Sequence, residues 1–129
     1  MEDEEKEALR KRFVKYINQF STPSFSGLNE LYTVDARYMP PDADKTIGRE
    51  AIKEAHKNKQ SRVNILRFYF DLLEVQVPVP GQFGFTSSIS AAIDPYGRCP
   101  GKYKDLILWK KINGEWYIYR HMYNNRPVH

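Results

Sequence analysis

The sequence predicts an α+β domain in which three helices from the N-terminal half pack on a mostly antiparallel sheet. Helical apolar spacing is confined to the first half of the chain and strand alternation to the second, an order that segregates helices from strands. An Asn113-Gly114 pair sits between two strand-like runs, which fits a type I′ hairpin. The 129 residues contain no repeat, linker or low-complexity tract, so they read as one domain over 1–129.

The first helix is expected over residues 3–20. Leu9, Phe13, Tyr16, Ile17 and Phe20 recur at helical spacing on one stripe. Acidic residues fill its first turn, where the helix dipole favours them, and Ser21-Thr22-Pro23 ends it. A short second helix runs from about Ser26 to Tyr32, with Leu28, Leu31 and Tyr32 inward. Residues 35–39 form a brief strand stopped by Pro40-Pro41. The third helix runs from Gly48 to about Lys59. Ile47 and Ile52 have the spacing of a hydrophobic staple, and Ala51, Ile52 and Ala55 supply its buried face.

Residues 64–77 alternate as a strand. Leu66, Phe68, Phe70 and Leu72 share one side, and Val75 and Val77 continue after a change of phase, so a bulge is expected near Leu73. Residues 83–93, 103–112 and 115–124 complete the sheet. A two-residue turn at Asn113-Gly114 sets Ile112 opposite Glu115, Lys110 opposite Tyr117, Leu108 opposite Tyr119 and Leu106 opposite His121. Those pairs share one side of the sheet; Ile107, Trp109, Trp116, Ile118, Arg120 and Met122 share the other. Both sides are largely apolar, so both need cover. The helices cover one, and a second copy of the chain, in an isologous homodimer, is expected on the other.

Composition narrows the function. Twenty lysines and arginines against 16 acidic residues leave a charge of +4. The charges are interspersed apart from Arg10-Lys11-Arg12 and Lys110-Lys111, so the concentrated basic face of a nucleic-acid binder is not expected. A single cysteine, Cys99, excludes an intramolecular disulfide and a multi-cysteine metal site. Asp35, Asp42 and Asp44 read as solvated turn residues, Glu54 and His56 are two apart and do not share a helical face, and His129 is terminal. No metal and no cofactor is expected. No run approaches the roughly 20 apolar residues of a membrane span, and the acidic start, Met1-Glu2-Asp3-Glu4-Glu5, does not read as a leader. The expected location is the cytoplasm.

Three segments carry a family likeness: RFVKYINQF; LYTVDARYMPPDADKTIGREAI; and LILWKKINGEWYIYRHMYNNRP. The middle one has an Asp-Ala pair, a short strand, a proline turn and a Gly-Arg-x-x-Ile helix start. The last has a Trp-Lys-Lys, Asn-Gly-x-Trp, Tyr-Arg strand pair. Together they resemble the nuclear transport factor 2-like superfamily, and within it the SnoaL-like stand-alone proteins. The resemblance implies a cone-shaped roll, in which a curved sheet wraps a long helix to form a conical pocket and the opposite sheet face makes a dimer. The superfamily includes ketosteroid isomerase, scytalone dehydratase, limonene epoxide hydrolase and polyketide cyclases, and also non-catalytic transport and association domains. The isomerase's three catalytic positions fall on Phe13, Pro40 and near Leu106. All three functional groups are missing there, so chemistry of that kind is not expected. SnoaL-like relatives often carry an aspartate after the Tyr-Arg pair; here the residue is His121.

His121 is the candidate catalytic residue. The hairpin register puts it on one side with Tyr117, Tyr119 and Tyr123, the side that the resemblance turns toward the pocket. A histidine exchanges a proton near neutral pH, and tyrosine hydroxyls donate to a developing oxyanion. Phe13, Tyr16, Tyr38, Leu106 and Leu108 complete the expected ligand-lining set. Trp109, Trp116, Ile118 and Arg120 are assigned to the dimer interface, where aromatic residues and arginine carry binding energy. Two functions stay open. One is a pocket for a small, mostly apolar molecule, with cofactor-free isomerisation, cyclisation, dehydration or hydrolysis. The other is a non-catalytic association module whose pocket is filled by its own side chains. For His121 itself, the plainer reading is a histidine hydrogen-bonded to a tyrosine in a packed core.

Overall fold

The computed structural model describes residues 2–21, 25–62 and 65–127. Helix α1 (Glu2–Asn18) continues as a 3-10 turn at Gln19–Ser21. Its predicted stripe faces inward: Leu9, Phe13 and Tyr16 are buried, and Ile17 and Phe20 pack against them. Thr22 and Pro23, read as the helix stop, lie outside the described residues, as does His129.

The expected second helix is instead a single 3-10 turn, Leu28–Leu31, so the described residues form two α-helices rather than three. Four residues cannot meet the nucleation cost of an α-helix, and the β-prone run Tyr32-Thr33-Val34 claims the chain immediately afterwards. Strand β1 therefore spans Tyr32–Met39, longer than expected, while Leu28, Leu31 and Tyr32 still point inward. A two-residue strand, β2 (Thr46–Ile47), pairs antiparallel with β1. Helix α2 (Arg49–Arg62) follows Gly48, whose φ of +94° suits glycine and whose N–H donates to the Ala36 carbonyl at 2.9 Å. Ile52 is fully buried, but Ala51 is exposed and Ile47 about half exposed. The inward face of α2 is Ile52, Ala55, His56 and Lys59, spaced i, i+3, i+4 and i+7.

Four long strands complete the sheet: β3 (Arg67–Val79), β4 (Phe83–Ile93), β5 (Gly101–Ile112) and β6 (Glu115–Arg126). The order is β2-β1-β6-β5-β4-β3, with β1 and β6 parallel and the other described pairs antiparallel. The sheet does not close, and both helices pack on one face, α1 on β3 and β6, α2 on β1. Helix α1 approaches closely at Gly84, where an added Cβ would lie 2.9 Å from the Leu9 side chain. The bulge expected in β3 is present: Leu72 pairs with Ser88 and Glu74 with Ser87, leaving Leu73 extra. Asn113 and Gly114 take φ of 51° and 83°, the positive pair of a type I′ turn.

The hairpin register holds only near the turn. Ile112 pairs with Glu115, Lys110 with Tyr117 and Trp109 with Ile118. Leu108 then pairs with Arg120, Ile107 with His121 and Leu106 with Met122, so Tyr119 is an extra residue in β6. One inserted residue reverses the facing of everything beyond it. The expected pairs Leu108–Tyr119 and Leu106–His121 are therefore replaced. His121 joins Ile107, Trp109, Trp116 and Ile118 on the helix-covered face. Among the described residues, no helix is long and apolar enough to cross a membrane.

Candidate functional site

A cavity of about 160 Å³ opens between the two helices and the inner face of the sheet. Its walls are aromatic. Phe68 and Phe70 alternate inward from β3, while Phe20 and Phe25 come from the turns around the end of α1. Phe20 binds these walls together, lying 5.2 Å from both Phe68 and Phe70 and 5.5 Å from Phe25 between ring centroids.

The polar part of the cavity is built by the Tyr119 bulge. It brings His121 onto the same face as Asp105 of β5, with Nε2 of His121 2.8 Å from Oδ2 of Asp105. On the other side of the ring, Nδ1 lies 3.0 Å from the hydroxyl of Tyr32. A carboxylate only accepts hydrogen bonds, so with Asp105 ionised Nε2 carries the proton and Nδ1 accepts from Tyr32. The imidazole is 1% exposed and sits among three tyrosine rings, Tyr38 at 5.1 Å, Tyr16 at 5.6 Å and Tyr32 at 6.3 Å. Both of its nitrogens are thus engaged within the protein. Asp105 lines the cavity, and its second oxygen, Oδ1, takes no hydrogen bond among the described residues. The group this dyad offers to a guest molecule is a carboxylate oxygen backed by a histidine.

Burial pushes the phenols of Tyr16, Tyr32 and Tyr38 well above the usual tyrosine range, and the nearby Asp105 charge pushes them further. They stay protonated at neutral pH and serve as donors. His56 of α2 also faces the cavity, 4.7 Å from Tyr38 between centroids. Its Nδ1 donates to the Ile52 carbonyl at 3.0 Å. Burial lowers its pKa to about 4, and electrostatic repulsion between a charged His56 and its neighbours His121 and Lys59 adds to the effect. Lys59, one turn further along α2, donates to the Tyr123 hydroxyl at 2.5 Å. Among the described residues, no group of three His, Cys, Asp or Glu side chains is placed to hold a metal ion.

Of the residues assigned from sequence to the ligand pocket, Tyr16, Tyr38, Tyr123 and His121 line the cavity together. Phe13 lies behind its wall, packed on Tyr16 and Phe70. Leu106, Leu108, Tyr117 and Tyr119 are on the opposite face of the sheet, because strand parity at Trp109 and Trp116 turns them outward. The interface assigned to Trp109, Trp116 and Ile118 is corrected for the same reason: all three are 0% exposed beneath the helices, and Trp109 donates its indole N–H to Thr86 at 2.9 Å. Arg120 is partly exposed, stacked 3.8 Å over the Tyr119 ring and bonded to the Asp35 carbonyl. Sequence reading missed Asp105, His56, Lys59 and Tyr103. The isomerase-like carboxylate position was placed near Leu106; the inward residue there is its neighbour Asp105.

No protein-family model and no curated protein sequence matches the chain. Solved structures do. A ketosteroid isomerase-like protein from Erwinia carotovora superposes with a TM-score of 0.63 over 88% of this chain and 96% of that one, at 17% identity. A protein from Novosphingobium aromaticivorans, provisionally named a scytalone dehydratase, superposes at 0.73 over 95% and 85%, at 15% identity. The chain has the nuclear transport factor 2-like fold. A domain of unknown function from Nostoc punctiforme, described as cystatin-like, shares that fold at a TM-score of 0.80 over 95% of this chain and 77% of that one, at 16% identity. The cone-shaped α+β roll expected from the resemblance is thereby found, with two helices on a six-stranded, curled sheet. At such identities the likeness concerns architecture, and a nuclear transport factor 2-like fold leaves the chemistry to the side chains in its cavity.

Proposed function

We propose that this protein binds a small, mostly apolar molecule in its aromatic cavity and that the Asp105–His121 dyad exchanges a proton with it. The observation that supports this most is the cavity wall itself. A carboxylate with a free oxygen opens onto an apolar space, and its other oxygen is held at 2.8 Å by a buried histidine. A base in such a place is oriented and poorly solvated, which is what proton abstraction from carbon or oxygen requires. The protonated phenols of Tyr16 and Tyr38 are the donors that would stabilise the resulting oxyanion. The reaction class is cofactor-free isomerisation, cyclisation, dehydration or hydrolysis. His121, the acid/base expected from sequence, becomes the residue through which Asp105 is held and its charge shared. The cytoplasm is the proposed location.

The test is native mass spectrometry of the purified protein followed by denaturation. A defined small molecule released on denaturation supports an open, occupied pocket and supplies the substrate to assay with Asp105→Asn. A protein that carries nothing and whose cavity signals do not move with toluene in NMR contradicts the reading.

A second reading concerns association. The outer face of the sheet leaves Leu106 52% and Met122 46% exposed, beside the partly exposed Phe85, Leu108, Tyr117 and Tyr119. Contiguous apolar surface of this kind marks an interaction site, and we propose that it pairs with the same face of a second copy in a homodimer. Sedimentation as a monomer at micromolar concentration contradicts it.

A further inference from the structure

We infer that the cavity selects an anionic guest, a monocyclic aromatic carboxylate whose charged end meets Lys59. This rests on the proposal that the cavity binds a small molecule, and goes beyond it by naming the class. Among the described residues lining the cavity, Lys59 is the one lysine and there is no arginine. It is placed there by helix geometry, seven residues after the fully buried Ile52 on the inward face of α2. Its ammonium is held over aromatic rings, 4.6 Å from the centroid of Tyr123 and 5.2 Å from that of Tyr103, and donates to the Tyr123 hydroxyl.

No carboxylate pairs with this ammonium in the described ion pairs, whereas Lys57, in the same helix, is paired with Glu54. An ammonium has three donors, and one is used by Tyr123. The remainder are left at the edge of an apolar space, where an unmatched positive charge favours an anion more than it would in open water. Asp105 accepts the N–H of a neutral His121 and keeps its own negative charge, which repels an anion, so the guest's negative end belongs at Lys59 and its apolar body against Phe20, Phe68 and Phe70. Size agrees: a cavity of about 160 Å³ is close to the roughly 150 Å³ apolar cavity known to take up benzene.

The experiment compares benzoate with benzamide, its uncharged counterpart of nearly equal shape, by NMR titration of the wild-type protein and of Lys59→Met and Lys59→Arg. Benzoate should bind at least tenfold more tightly than benzamide. Lys59→Met should abolish that preference, lowering benzoate affinity about tenfold while changing benzamide less than twofold, and Lys59→Arg should retain it. Equal binding of the two probes by the wild type overturns the assignment to Lys59 and leaves the pocket proposal standing. So does an unchanged preference in Lys59→Met. Failure of both probes, with toluene also excluded, overturns the pocket proposal and this inference together.

Discussion

His121 Nε2 and Asp105 Oδ2 lie 2.8 Å apart although a strict two-residue-turn register would put these residues on opposite faces of the sheet. The single extra residue at Tyr119 reverses the parity of β6 midway, after Trp116 and Ile118 have faced the core and before His121 must do so. The candidate site thus depends on a backbone irregularity as much as on side-chain identity.

Deleting Tyr119 should therefore be far worse than substituting it. Without the extra residue, either His121 and Tyr123 turn to solvent or Trp116 and Ile118 do, because strand facing has a period of two. Tyr119→Ala removes an outward ring and should cost about 1 kcal/mol, near the centre of the range for single substitutions. The deletion should cost several times that or prevent folding. Denaturant titration of the two variants decides. A deletion variant as stable as Tyr119→Ala contradicts the role given to the bulge.

Asp105→Ala should lower stability by roughly 1–3 kcal/mol, since it leaves the His121 N–H buried without its acceptor. Asp105→Asn keeps an accepting oxygen and should cost less than Asp105→Ala, while abolishing any activity that needs a carboxylate base. Equal stability of the wild type and Asp105→Ala would show that the pair is not formed in solution.

Acid stability should depend on His56. Its pKa is about 4 in the folded chain against an ordinary 6.5, so between those values the unfolded chain binds a proton that the folded chain does not. Its contribution is complete above pH 6.5 and is lost as pH falls toward 4, to the extent of roughly 3 kcal/mol. Denaturation at pH 7.5 and pH 4.5 should show a markedly larger loss for the wild type than for His56→Gln. Parallel losses contradict a buried, neutral His56.

Stability and association should separate by sheet face. Trp109→Phe removes the indole bond to Thr86 and should destabilise by about 1–3 kcal/mol with no effect on assembly. Leu106→Lys and Met122→Lys should leave stability within about 0.5 kcal/mol per monomer and disrupt self-association. Velocity sedimentation beside thermal denaturation separates these outcomes, and a Trp109→Phe variant that shifts assembly alone would reverse the assignment.

Much of this architecture is legible in the sequence because it follows from period and turn chemistry. The Leu9–Phe13–Tyr16 stripe, the Asn113-Gly114 turn and the phase change at Leu73 each predict the element or bulge found. Leu73 was readable because Leu72 and Val75 break an otherwise apolar alternation. Tyr119 was not, because Tyr117, Ile118 and Tyr119 make both faces of β6 apolar there, and Arg120, which strict alternation sets beside Trp116 and Ile118, fits an interface as readily as it marks a change of parity. That ambiguity moved Leu106, Leu108, Tyr117 and Tyr119 into the expected pocket and Trp109, Trp116 and Ile118 out of the core. His56 and Lys59 did carry a signal. They continue the Ile52 face at i+4 and i+7, and a histidine and a lysine on the buried side of an amphipathic helix are worth pursuing.

The most direct test of the central claim is nitrogen-15 NMR of the His121 imidazole at neutral pH, with and without toluene as a cavity probe. A site built on this pair requires a proton on Nε2, a hydrogen-bonded lone pair on Nδ1, and a shift of the His121 resonances as toluene enters beside Tyr16 and Tyr38. A proton on Nδ1 with a bare Nε2, or an imidazole indifferent to a saturating probe, would contradict a site built on Asp105 and His121.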